Sequence, residues 1–138
     1  MNALQNPKQF ALAGNATITL ESENTNNRFT YSIKRCENRE DLYFVKLLRG
    51  PNNEEDYTYI GYYIEGDKFL PNKKYKEIPK ETWPASMRAI RYFFDKIDDL
   101  PEKLHVYHEG RCGRCGRKLT TPESIKLGFG PECMKLGW

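Results

Sequence analysis

No run in this chain approaches the roughly 18 apolar residues that a membrane-spanning helix needs, so no membrane span is expected. The first twelve residues hold a single lysine, Lys8, and no long apolar stretch. They do not read as a secretion signal, and a reducing, cytoplasmic compartment is expected. Histidine stops at two residues and cysteine at four. Without a secretion signal, cysteines are better suited to metal than to disulfides. No internal period is found, which excludes repeat arrays and coiled coils. The Gly-x-Ser-x-Gly elbow, the P-loop and the Rossmann glycine pattern are missing too.

Aromatic residues are plentiful, at 13% of 138 residues, beside 38% hydrophobic and 30% charged. Disordered chains are poor in aromatics, so a folded protein is expected, either one domain or a domain plus a small appendage. The net charge of +3 is unevenly spread. Residues 1–102 carry 15 Lys and Arg against 16 Asp and Glu, while residues 103–138 carry 7 against 3. Three of the four cysteines, Cys112, Cys115 and Cys133, share that basic last quarter.

Residues 1–8 read as a loose lead-in. Strand patterns follow from Ala16 to Ile64. Ala16–Leu20 alternates polar and apolar, and Arg28–Lys34 places Phe29, Tyr31 and Ile33 on one face. Leu42–Leu48 is apolar on both faces, as a central strand would be. Turn-forming residues at Glu21–Asn27, Gly50–Asn53 and Glu65–Lys68 separate these strands. Sequential strands with short turns predict an antiparallel meander. In Tyr57–Ile64, the residues Tyr57, Tyr59 and Tyr63 are expected on one face, with Gly61 in the same row. Asn72–Lys80 is lysine-rich and reads as an exposed loop. Met87, Ile90, Phe94, Ile97 and Leu100 recur at helical spacing, so a helix is expected from about Pro84 to Leu100. Asp98 and Asp99 would then lie in its last turn, where the helix dipole disfavours them. The expected fold is α+β: an antiparallel sheet packed against one helix in residues 1–102. A zinc knuckle with short helices, residues 103–138, packs on it.

Zinc takes four tetrahedral nitrogen or sulfur ligands. Cys112 and Cys115 have the two-residue spacing of a knuckle, and Gly113 and Gly116 allow the positive φ such a turn often needs. Cys133 follows Gly130 and Pro131, a helix-start signal, and a thiolate in a first helical turn is stabilised by the dipole. For the fourth ligand the spacing favours His108, with His105, Cys36 and Glu132 as competitors. On a strand, His105 and His108 point to opposite faces. Thr120 and Glu123 match a capping box and Gly128 a helix stop, so a short helix bridges the two halves of the site. A segment under about 40 residues seldom folds on burial alone, and zinc would supply the missing stability.

At these residues the chain resembles the domain of unknown function 6011, found in bacteriophage and mobile-element proteins, alone or beside nucleic-acid modules. The resemblance rests on His108, Cys112, Cys115, Gly116, Arg117, Leu119, Thr120, Pro122, Glu123, Ser124 and Ile125. Gly128, Gly130, Pro131 and Cys133 complete it. Residues Phe10–Gly14, Phe29–Tyr31 and Val45–Asn52 also resemble the N-terminal region of stand-alone phage members. The resemblance implies a zinc site of His108, Cys112, Cys115 and Cys133. It carries no established activity.

An enzyme is not expected. A catalytic zinc needs an open position and a nearby base, and Glu109 and Glu132 read as solvated carboxylates beside their ligands. The zinc deaminase signature needs His-x-Glu, whereas His108 and Glu109 are adjacent. An HNH-type nuclease would need a further His or Asp pair. The leading expectation is a non-catalytic zinc protein that binds nucleic acid, DNA or RNA, with Arg111, Arg114, Arg117, Lys118 and Lys126 contacting the backbone. The other reading is a phage-encoded module that binds and inhibits a host defence protein, for which nine tyrosines would suit an interface. No small-molecule substrate is expected.

Overall fold

A computed structural model of the chain describes residues 2–4, 6–50, 55–119, 125, 128 and 129. Alternation of apolar and polar side chains builds a seven-stranded, wholly antiparallel sheet. Its strands are β1 (Asn2–Ala3), β2 (Asn15–Ser22), β3 (Arg28–Cys36), β4 (Arg39–Leu48), β5 (Tyr57–Ile64), β6 (Phe69–Pro71) and β7 (Leu104–His108). Strands β2 to β6 form the expected meander. The order across the sheet is β1-β7-β2-β3-β4-β5-β6. The late strand β7 thus lies between β1 and β2, and the expected boundary at residue 102 falls in the turn just before it.

The inner face is covered by α3 (Ala85–Asp95), with Pro84 at its N-cap. Ile18, Leu20, Tyr31, Ile33, Tyr43 and Val45 from the sheet meet Met87, Ile90, Phe93 and Phe94 from the helix, all buried. Burying each such side chain contributes about 1.5–3 kcal/mol. The Tyr31 hydroxyl donates to the Ser86 carbonyl at 2.7 Å, which pins the start of α3 over β3. Tyr63 stacks on Phe94 with ring centroids 4.1 Å apart.

Four expectations are corrected. Helix α3 stops at Asp95 rather than near Leu100. The Ile97 N–H returns to the Phe94 carbonyl, tightening the chain so that Ile97 still reaches the core. Asp98 therefore lies beyond the helix, where it pairs with Lys8. The lead-in is not loose: it holds β1 and a short helix, α1 (Pro7–Ala11), whose N-cap Asn6 accepts from the Gln9 N–H at 3.2 Å. The segment Asn72–Lys80 contains a short helix, α2 (Lys73–Lys76), followed by a 3₁₀ turn at Lys80–Thr82.

The fourth correction concerns β5. Val45 pairs with Gly61 but Lys46 pairs with Tyr59, so Ile60 is an extra residue that shifts the register. Such a bulge moves every later side chain to the other face. Tyr63 consequently turns inward, and Tyr62 joins Tyr57 and Tyr59 on the outer face. A Cβ at Gly61 would lie 2.3 Å from the Leu70 carbonyl oxygen, so only glycine fits there.

Helix α1 is tied to the inner side of the sheet by its C-terminal carbonyl. Leu12 O accepts from the Arg35 guanidinium at 2.8 Å and from the Tyr43 hydroxyl at 3.0 Å. None of the helices among the described residues is long and apolar enough to cross a membrane.

Candidate metal and nucleic-acid site

Strand β7 delivers its two histidines to opposite faces, as its period of two requires. His105 pairs with Glu21 in register on the outer side, and its Nε2 meets Glu23 Oε1 at 2.7 Å. His108 pairs with Ile18, faces inward and is 1% exposed. Its ring lies 5.6 Å from that of Phe10. The Gly110 N–H donates to Nδ1 at 2.9 Å, which assigns the ring proton to Nε2, and Nε2–H donates to the Ile125 carbonyl. Burial, the largest effect, lowers the pKa of His108, opposed by the Ile125 carbonyl and Glu109. The ring is neutral near pH 7.

After β7 the chain turns at Gly110 and forms a tight hairpin. Arg111 bridges Lys118, the Cys112 N–H donates to the Arg117 carbonyl at 2.8 Å, and the Leu119 N–H donates to the Gly110 carbonyl at 2.7 Å. At its tip the Gly116 N–H returns to the Cys112 carbonyl at 2.9 Å, with Gly116 at φ +77°. Gly116 thus has the expected positive φ, whereas Gly113 does not. Gly113 serves close packing instead: a Cβ there would lie 2.7 Å from Phe10 Cδ2. Its carbonyl accepts from the Asn15 N–H at 2.8 Å and its N–H donates to the Gly128 carbonyl at 3.0 Å. Phe10 and Asn15 thereby fix the hairpin to the sheet.

Cys112 is buried and Cys115 exposed at the tip of this hairpin. Cys36, half buried, sits at the β3–β4 turn paired with Arg39. Among the described residues, no three His, Cys, Asp or Glu side chains gather as a group able to hold a metal ion. Cys133, Glu132 and Lys126 lie outside the described residues, as do Thr120 and Glu123 of the expected capping box. Ile125 of the expected bridging helix is helical, and Gly128 takes φ +82°.

Arg111, Arg114, Arg117 and Lys118 are all exposed on the hairpin. Arg111 Nη1 donates to the Gly116 carbonyl at 3.2 Å, which holds its guanidinium along the turn. Glu109 is not the solvated carboxylate its position suggests. It lies just past the end of β7, and its Oε1 accepts from the hydroxyl of Thr19, a residue of the outer face. Thr19 Oγ1 and Thr30 Oγ1 are 2.7 Å apart, and Thr19 is fully buried. Beside them the Tyr57 hydroxyl is buried next to Thr17. Burial raises its pKa, Glu109 adds to the shift, and Thr17 and Arg111 oppose it.

Sequence reasoning missed Phe10, Asn15, Thr19 and Thr30. Asn6 followed by Pro7 was a helix-start signal for the element carrying Phe10. No local signal marks Asn15 or Thr19, because their partners Gly113 and Glu109 lie about 90 to 100 residues away.

Residues 102–136 match the model of a family of unknown function, DUF6011. No curated protein and no solved structure matches the chain.

Proposed function

We propose that the 108–119 hairpin, with Cys133, holds one structural Zn²⁺, and that the protein binds nucleic acid without catalysis through the cations of that hairpin. The observation that carries the reading is the coincidence of two features on one short turn. Cys112 and Cys115 flank a hairpin closed by the Cys112–Arg117 and Gly116–Cys112 backbone bonds. Arg111, Arg114, Arg117 and Lys118 stand exposed on the same hairpin, within a stretch from Gly110 to Leu119 that contains no carboxylate.

The donor set suits zinc. His108 is neutral, and its Nε2–H is held by the Ile125 carbonyl, the outer hydrogen bond that ligating histidines usually make. This leaves Nδ1, now facing the Gly110 N–H, as its ligating atom. Zinc bound here would link the hairpin to the segment after Gly128, with about 10–16 kcal/mol of apparent binding energy in small fingers. Three thiolates and a neutral imidazole would leave the site at −1, so part of the arginine charge balances it. The remainder is available to phosphate.

The non-catalytic reading is supported by Glu109. That carboxylate, the described one next to a candidate ligand, is on the face opposite His108 and engaged by Thr19. A general base at a bound zinc would instead have to reach the His108 side of the strand. The test is binding of single- and double-stranded DNA and RNA at low salt by wild type and by Arg114→Ala plus Arg117→Ala. Loss of affinity in the double variant, with the fold intact, supports the reading. Unchanged affinity removes the hairpin from it. If nuclease-treated host extract instead yields one stoichiometric protein on the wild-type chain, the protein-directed reading takes its place.

A further inference from the structure

The outer face of β3, β4 and β5 carries aromatic rings that no element among the described residues covers. Phe44 is 37% exposed and Tyr59 41%, and their rings meet edge-on with centroids 6.3 Å apart. The bulge at Ile60 adds Tyr62, which pairs in register with Phe44, while Tyr57 begins the same row. Each exposed ring has a lysine as its direct cross-strand neighbour: Lys34 opposite Phe44, and Lys46 opposite Tyr59. Neither lysine makes an ion pair among the described residues. Between Thr30 and Lys34, Phe44 and Leu48, and Tyr57 and Tyr62, the outward positions hold no carboxylate.

We propose that this face is a stacking platform for single-stranded nucleic acid, with bases on Phe44, Tyr59 and Tyr62 and phosphates on Lys34 and Lys46. The proposal deepens the nucleic-acid reading above and rests on it. The charge pattern selects the occupant. Unneutralised cations alternating with exposed rings match a ligand that alternates phosphates with flat π-faces, and only a single strand presents its bases that way. A duplex keeps its bases stacked on one another, so it would meet the cations alone. An apolar protein partner would leave both lysines desolvated and unpaired, which is unfavourable.

The experiment is fluorescence anisotropy on the full chain with a labelled oligothymidylate of about 20 nucleotides and a duplex of the same length. Phe44→Ala plus Tyr59→Ala is expected to weaken the single strand by about tenfold or more while leaving the duplex nearly unchanged, because stacking is lost and charge is not. Lys46→Glu, on an exposed position, provides a second variant and is expected to weaken both. Circular dichroism checks that each variant folds. If both face variants bind the single strand as wild type does, while Arg114→Ala plus Arg117→Ala loses it, the platform is overturned and the hairpin reading survives. If the aromatic variant loses strand and duplex equally, the single-strand preference is overturned. If wild type binds neither probe at low salt, both readings fall.

Discussion

Gly113 rests on the edge of the Phe10 ring, so closely that a Cβ at position 113 would lie 2.7 Å from Phe10 Cδ2. The same ring atom lies 2.7 Å from where a Cβ of Gly128 would stand. A side chain from a five-residue helix near the N-terminus is thus gripped by two glycines of the 102–136 segment. Gly113→Ala is expected to destabilise the protein by about 1–3 kcal/mol, the range for overpacking in a filled core. Phe10→Ala should cost about 3–5 kcal/mol through the opposite fault, a cavity. Equilibrium denaturation checks both, and a Gly113→Ala protein as stable as wild type would show that the hairpin docks elsewhere.

The attachment of α3 to the sheet depends on a buried polar contact as well as on apolar burial. Tyr31 is fully buried, its hydroxyl donates to the Ser86 carbonyl at 2.7 Å, and burial raises its pKa far above the usual tyrosine value. Tyr31→Phe removes the donor and leaves a carbonyl of the first helical turn without it. A loss of about 0.5–1.5 kcal/mol is expected, the net worth of one hydrogen bond, since the carbonyl keeps its place in the helix. Ser86→Ala should cost less, because the acceptor is the backbone carbonyl and survives the substitution. Equal losses for the two variants would argue against this bond as the anchor.

What could be read from the chain beforehand follows the reach of each interaction. Strands β2, β3 and β5 were legible because alternation is local: Phe29, Tyr31 and Ile33 announce their face within seven residues. The site of Tyr63 was not, because one extra residue at Ile60 reverses the face, and a bulge leaves no period to count. Strand β7 was invisible as part of the sheet because its partner, β2, is about 90 residues earlier in sequence. The end of α3 was misplaced for a related reason. Ile97 and Leu100 continue the helical spacing, yet Ile97 reaches the core from a tightened turn and Asp98 answers to Lys8, a residue of α1. At the candidate site, the hairpin of Cys112 and Cys115 was legible from its spacing and glycines. Its docking partners, Phe10 and Asn15, were not.

Metal content is the direct measurement on the donor set. One equivalent of zinc is expected on the purified protein, with three thiols protected from an alkylating reagent. Cys36 is expected to react, since it sits half exposed at the β3–β4 turn. His108→Ala and Cys115→Ser should each lose or weaken the metal, whereas His105→Ala should keep it, because that ring faces Glu23 across the sheet. Chelation should lower thermal stability in wild type and leave the metal-free variants unaffected, since only the folded site gains from binding. Four reactive cysteines and no zinc would remove the metal from the proposed function.

The cations of the hairpin have a signature separate from the strength of binding. Each phosphate contact releases condensed counterions, so log K falls with log salt by about 0.7–0.9 per contact. Arg114 and Arg117 are both exposed on the hairpin, on either side of Cys115. If both touch phosphate, replacing them by alanine should make the slope shallower by about 1.4–1.8. Phe44→Ala plus Tyr59→Ala should leave the slope as it is while lowering the affinity, because stacking releases no ions. The contrast separates the two surfaces within one titration series. An unchanged slope in the arginine variant would mean that these side chains balance the thiolate charge of the metal site and do not meet a backbone at all.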